Sequence, residues 1–203
     1  FAIVHTGTII LQCPINKFST ATIAAHTTAR KLSEFLMLPV ATIATSLATF
    51  VSQNHGANLY KRISKGVRQA TLLGFAITFL LIIMVFTIGD KLIYLVAHSS
   101  DSELINTSLN YLKFNVLFYF ALTMLCNLRN VMQGLDSKFI PLISSSIELA
   151  LKVVMAFFLA KKMGYNGIII CEPVIWVLCS IFIGVAYFIT LRKRQQQTQV
   201  LSP

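Results

Sequence analysis

Ile23–Asn58 reads IAAHTTARKLSEFLMLPVATIATSLATFVSQNHGAN, and the fold follows from it. Its first turns carry Arg30, Lys31 and Glu34. From Phe35 to Asn54 there is no charged residue, and only Pro39 interrupts the run. A bilayer core of about 30 Å takes about 20 apolar residues at ~1.5 Å each, so the stretch predicts a membrane-spanning helix with ionisable groups near one end. Gly56 is placed to take the positive φ that ends such a helix. Ionisable side chains are costly in hydrocarbon and are held where they face a bundle interior or a wet cavity. Glu34 is therefore a candidate site residue, and the rest of the chain has to supply the cavity.

Working outward, the rest of the chain is of the same kind. Of 203 residues, 56% are hydrophobic and 12% charged, and the mean hydropathy is +0.73. A soluble domain carries about 25% charged residues, so the composition is that of a membrane protein whose first partner is the lipid bilayer. The formal charge of +10 would suggest nucleic acid in a soluble protein. Here Lys and Arg gather between apolar runs, as membrane orientation requires, and nucleic acid is not expected as a partner. Cys13, Cys126, Cys171 and Cys179 stand singly in apolar segments and read as small buried hydrophobes. His5, His26, His55 and His98 have no ligand-like spacing, so no metal site is expected. The sequence has no HExxH, GxSxG or phosphate-cradling glycine loop, which argues against an enzyme and against an organic cofactor. The first apolar run lacks a basic leader and a cleavage site, and it begins at Phe1. Sequence upstream of it is expected.

In order, the apolar runs are Phe1–Asn16, Thr22–Asn54 with a bend at Pro39, Gln69–Gly89, Leu104–Met132, Phe139–Ala160, and a last one ending at Leu191. Ser19 or Thr20 suits the N-cap of the second. Tyr60–Arg68 is a basic amphipathic connection, Asp90–Glu103 a mixed loop, and Lys161–Gly167 a loop with two glycines. The expectation is an all-α membrane protein, a six-helix transmembrane bundle over residues 1–191 followed by a basic, polar tail at 192–203. Alternating the helices through the bilayer puts Lys61, Arg62, Lys65, Arg68, Arg129, Lys138, Arg192, Lys193 and Arg194 at one end. Lys17, Lys91, Lys161 and Lys162 fall at the other. The more basic end is the cytoplasmic one, so the C-terminus is expected in the cytoplasm.

Two pairs of opposite charge fall within predicted helices: Arg30 with Glu34, and Glu148 with Lys152. Residues four apart share a helix face, and pairing lowers the cost of each charge. A carboxylate so held can exchange H⁺ or Na⁺ as its hydration changes, which suits coupling. Equally, each pair can clasp helices, or the long basic side chains can snorkel to the interface. The same two readings apply to Arg129, beside Asn130. Gln12 and Asn16 either line a cavity or bond across helices. Glu172, before Pro173, reads as a carboxylate near a helix N-terminus. Asn106-Thr107-Ser108 matches a glycosylation sequon.

Several short motifs recur in one order. Ile10-Leu11-Gln12, Ile15-Asn16, Ala24-Ala25, Pro39, Gln53-Asn54-x-Gly56-Ala57 and Arg62-Ile63-x-x-Gly66-Val67 come first. Arg129-Asn130-x-x-Gln133-Gly134, Pro141, Glu148, Gly164-x-x-Gly167-Ile168 and Pro173-x-x-Trp176 follow. In order and spacing they resemble the second half of the multidrug and toxic compound extrusion (MATE) family, up to about Leu191. The resemblance implies a cation-coupled antiporter of about twelve helices in two six-helix lobes, this chain being the C-terminal lobe. It implies a cavity opening alternately to each side of the cell (inner or plasma) membrane. Small organic, often cationic substrates would be exchanged for H⁺ or Na⁺, with the N-terminal lobe as partner. Helices one, two, four and five would wall the cavity, and Glu34 and Glu148 are the acids in matching motifs. A lipid-linked sugar flippase of the same superfamily and a non-transporting membrane subunit are the alternatives. Asn58-Leu59 and Leu135-Asp136 depart from the pattern where a second glycine is common. Lys17-Phe18 replaces a glycine-containing turn, and Lys152 stands where Arg is frequent.

Overall fold

The computed structural model describes residues 14–98 and 101–201. Gln12, His5, Cys13 and most of the expected first helix lie outside the described residues. Those described are almost wholly helical, without a strand: α1 Thr20–Leu36, α2 Leu38–Gly56, α3 Tyr60–Ala97, α4 Ser102–Val116, α5 Tyr119–Gly134, α6 Phe139–Met163 and α7 Tyr165–Leu201. Helices α3, α6 and α7 are each long and apolar enough to cross a bilayer. The bent pairs α1–α2 and α4–α5 meet the same criterion only when each pair is taken together, so the described residues hold three spans by length and composition, or up to five if each bent pair is one span.

Local chemistry accounts for most of the boundaries. Ser19 opens α1, its hydroxyl accepting the Thr22 N–H at 3.2 Å. Pro39 has no N–H and its ring clashes with the carbonyl four residues back, so the axis turns by 45° at Met37. The end of α2 differs from expectation. Gly56 stays helical, and the left-handed residue is Asn58 at φ 57°. Asn58 N–H bonds the His55 carbonyl at 3.0 Å and Leu59 N–H bonds the Asn54 carbonyl at 2.9 Å, a Schellman cap. The end of α5 repeats this geometry with Asp136, also at φ 57°. Both left-handed residues sit where the sequence departs from glycine.

Two connections are shorter, and the basic tail more helical, than the sequence suggests. Asp90–Ala97 continues α3 after a break at Ile88 (φ −130°, ψ 16°), because Ile93 finds a fully buried seat. Gly164 alone, at φ +60°, turns α6 into α7, and only glycine takes that conformation without strain. The basic stretch Arg192–Arg194 is helical and continuous with α7. The predicted single helix Leu104–Met132 is two helices, bent by 58° at Leu117–Phe118, with no proline or glycine to announce the break.

Helix α5 is the central post, in contact with α2, α3, α6 and α7. Gly134 lets it approach α2 closely: a Cβ there would lie 2.6 Å from the Ala48 carbonyl oxygen. The main core joins Tyr119, Leu125, Leu128 and Met132 of α5 to Trp176, Cys179 and Ile183 of α7. Cys171 and Cys179 are buried free thiols, and Cys126 is half-buried. Outward, Leu72, Leu73, Phe79, Leu80, Phe139, Phe158 and Phe188 are exposed. Apolar surface on that scale is unusual on a soluble protein and fits contact with lipid. His55 lies within electrostatic reach of both Asp136 and Arg194, and the Phe18 and Tyr165 rings meet edge-on, 6.0 Å apart.

Candidate functional site

The charges inside the bundle form one connected array. Glu148 of α6 lies at its centre, with Lys152 Nζ 3.0 Å from Oε1 and Arg129 Nη2 of α5 2.7 Å from Oε2. Arg129 also donates through Nε and Nη2 to Ser144 Oγ, at 3.2 and 3.0 Å. Lys152 continues toward α7, its Nζ 4.0 Å from Glu172 Oε1. On the far side Tyr111 of α4 donates its hydroxyl to Glu172 Oε2 at 2.7 Å. The His26 ring of α1 meets the Tyr111 ring edge-on at 5.0 Å, and His26 Nδ1 is 3.4 Å from the Tyr165 hydroxyl. Five helices thus contribute to one polar seam.

That seam reaches a cleft of about 130 Å³ lined by Arg30, Ser33, Glu34, Met37, Tyr111, Tyr119, Leu122, Glu172 and Trp176. Both helix breaks face it, through Met37 after α1 and Tyr119 at the start of α5. Discontinuous spans are the usual way to bring polar groups to a cavity at membrane depth. Arg30 Nη2 pairs with Glu34 Oε1 at 2.9 Å, where the Glu34 side chain is 68% exposed. The Ser33 and Tyr119 hydroxyls are both buried at the cleft, within interaction distance of each other. Three cations (Arg30, Arg129, Lys152) balance three carboxylates (Glu34, Glu148, Glu172), so the array is neutral as a whole. Neutrality makes so many charges tolerable among apolar helices.

The sequence candidates are distributed as follows. Arg30 and Glu34 line the cleft, whereas Glu148, Lys152 and Arg129 are joined to it through Glu172. Arg129 does not snorkel: its side chain is 14% exposed and held by Glu148 and Ser144. Asn16 sits exposed in the turn before α1, and Gln12 is outside the described residues. Glu172 is not near a helix N-terminus, because α7 already begins at Tyr165. It is buried at the junction of cleft and seam, the position that sequence reasoning undervalued. A carboxylate in the apolar run IIICEPVIW was the available signal. Tyr111 and Tyr119 carried no signal, since tyrosines are common in such helices. Ser108 is buried and donates to the Ala25 carbonyl at 3.0 Å, so the sequon lies within a packed helix, unsuited to glycosylation.

A multi-pass α-helical bundle with a charge-balanced polar seam leading to a cleft defines a polytopic membrane protein. Residues 1–158 match the MatE family, so the chain belongs to that family of transporters. No curated protein matches it. The match ends within α6, and Glu172 and Trp176 lie beyond it.

Proposed function

We propose that the chain is the C-terminal lobe of a cation-coupled multidrug antiporter, exchanging a small organic cation for H⁺ or Na⁺ by alternating access. The observation that carries this reading is the position of Glu172. It touches the cleft on one side and, through Lys152, the Glu148–Arg129 pair on the other. Charge arriving in the cleft, whether substrate or coupling ion, competes with Lys152 and Tyr111 for this carboxylate. Rearrangement of the seam would then shift α4, α6 and α7 against one another, the differential interaction a two-state transporter requires. Trp176 and Tyr119, whose rings meet at 6.0 Å, give the cleft an aromatic wall suited to a flat cation. The basic end of the bundle would face the cytoplasm of an inner or plasma membrane.

The flippase alternative needs unpaired cations for a diphosphate. Of the cations in membrane segments, Arg30, Arg129 and Lys152 are engaged by carboxylates, Lys113 lies 5.7 Å over the Phe86 ring, and Lys31 is exposed and does not line the cleft. The antiporter reading is therefore preferred.

The test is counter-transport in proteoliposomes by the full-length transporter carrying Glu34→Gln, Glu148→Gln or Glu172→Gln. Glu172→Gln is expected to lower ion-coupled efflux at least about tenfold, the range of a lost charged contact at a functional site. Unchanged coupled efflux in all three variants would remove the proposal.

A further inference from the structure

Away from the cleft, α2 and α3 leave a groove of about 410 Å³ that faces outward. Ile43, Leu47 and Phe50 wall it on α2, and Gly66, Ala70 and Leu73 on α3. One turn nearer the basic end, the Arg62 guanidinium sits 6.0 Å over the Phe50 ring. Lys61, Lys65 and Arg68 are exposed on the same turns. Among the described residues none of these four cations belongs to an ion pair.

The dimensions run in the same sense as the charge. From Arg62 to Leu73 the helix rises roughly 16 Å at ~1.5 Å per residue. That is close to one leaflet, half of a hydrocarbon core of about 30 Å. The groove thus has cations at its mouth and a mostly apolar slot one leaflet deep, its polar lining being Thr42, Ser46 and Gln69. It continues into the exposed apolar face of α3 at Leu72, Phe79 and Leu80. We propose that this groove binds an anionic phospholipid, with its phosphate on Arg62 and one acyl chain between α2 and α3. A zwitterionic lipid would fill the slot but leave the basic cluster without a counter-charge. A partner helix would fit the apolar walls but gain nothing from four unpaired cations. Charge complementarity therefore selects the anionic lipid.

The full-length protein, purified in a neutral detergent, is titrated with phosphatidylglycerol and with phosphatidylcholine, and bound lipid is counted by native mass spectrometry. One phosphatidylglycerol is expected to be retained at about fivefold higher occupancy, and Arg62→Gln to remove that preference. Ser46→Trp, an exposed site on the groove wall, is expected to reduce retention of both lipids with thermal stability unchanged. Lys91→Gln, at the opposite end of α3, is expected to change nothing. Retention indifferent to head-group charge would overturn the proposal. So would equal losses in Arg62→Gln and Lys91→Gln, which would mean diffuse attraction. A photo-reactive residue replacing Ala70 that captures protein rather than lipid would assign the groove to a polypeptide and likewise overturn it.

Discussion

Arg30–Glu34 and Glu148–Lys152 have the same spacing and almost the same length, 2.9 and 3.0 Å, yet they are different objects. The Glu34 side chain is 68% exposed and has one basic partner. The Glu148 side chain is 4% exposed, has two, and is linked through Lys152 to a second carboxylate. A helix repeat decides which side chains can meet; packing from other helices decides what the meeting is worth. For the exposed pair, water already supplies most of the solvation, and loss of either partner matters little to the fold. For the buried pair no such substitute exists, and each member depends on the others.

The largest effect expected from that contrast is on stability. Glu148→Gln leaves Arg129 and Lys152 as buried cations without their shared counter-charge, and about 3–5 kcal/mol of stability should be lost. Scanning fluorimetry in detergent reads this as a lowered Tm. Adding Arg129→Met to Glu148→Gln should recover part of the loss, since it removes one of the stranded charges. Simple addition of the two losses would show that the pair is not coupled, and the contrast with Glu34 would fail.

Next in size is Tyr111→Phe, which removes the hydroxyl that donates to Glu172 at 2.7 Å and alters little else. A buried hydrogen bond to a charged group contributes about 1.5–3 kcal/mol. The change should lower Tm by less than Glu148→Gln does, and it should alter transport if the Glu172 carboxylate is used. A neutral outcome in both measurements would reduce Glu172 to a partner of Lys152 alone.

The two pairs also show what could be read from sequence. Period and composition were enough for the all-helical membrane fold, the spacing of each ion pair, the Ser19 cap and the bend at Pro39, because these depend on neighbours within a turn or two. The 58° break at Leu117–Phe118 had no local cause to read: it brings Tyr119 against Trp176, a contact 57 residues away in the chain. Glu172 was misplaced for a similar reason. Its helix starts at Tyr165 only because Gly164 makes the whole turn, and its partners Tyr111 and Lys152 come from two other helices. Between the two readings open for Arg129, its sequence neighbours could not decide, because the partners Ser144 and Glu148 come from α6. Fold class is written in local pattern; a site assembled from five helices is not.

Glu34→Gln is the direct counterpart of the first experiment and should cost less than about 1 kcal/mol, with the Tm nearly unmoved. Any loss should shrink further in high salt, which screens exposed pairs. A drop comparable with that of Glu148→Gln would mean that Glu34 is enclosed in the assembled transporter and belongs with the buried group.

The smallest effect should have the opposite sign. Asp136 forms an exposed pair with Lys138 at 3.4 Å, and its backbone is held at φ 57° in the cap of α5. The pair contributes little at such exposure, whereas a left-handed residue with a Cβ carries a conformational penalty of about 1–2 kcal/mol, less for Asp than for most. Asp136→Gly should therefore raise stability by about 0.5 kcal/mol, read as a small increase in Tm. Part of the relief is offset by the greater freedom of glycine in the unfolded chain. A decrease instead would mean that the Asp136 carboxylate works through a partner other than Lys138, for which His55, within its electrostatic reach, is the candidate. Removing a carboxylate from this chain should then range from severe loss at Glu148, through near-neutrality at Glu34, to a slight gain at Asp136, in the order of their access to water.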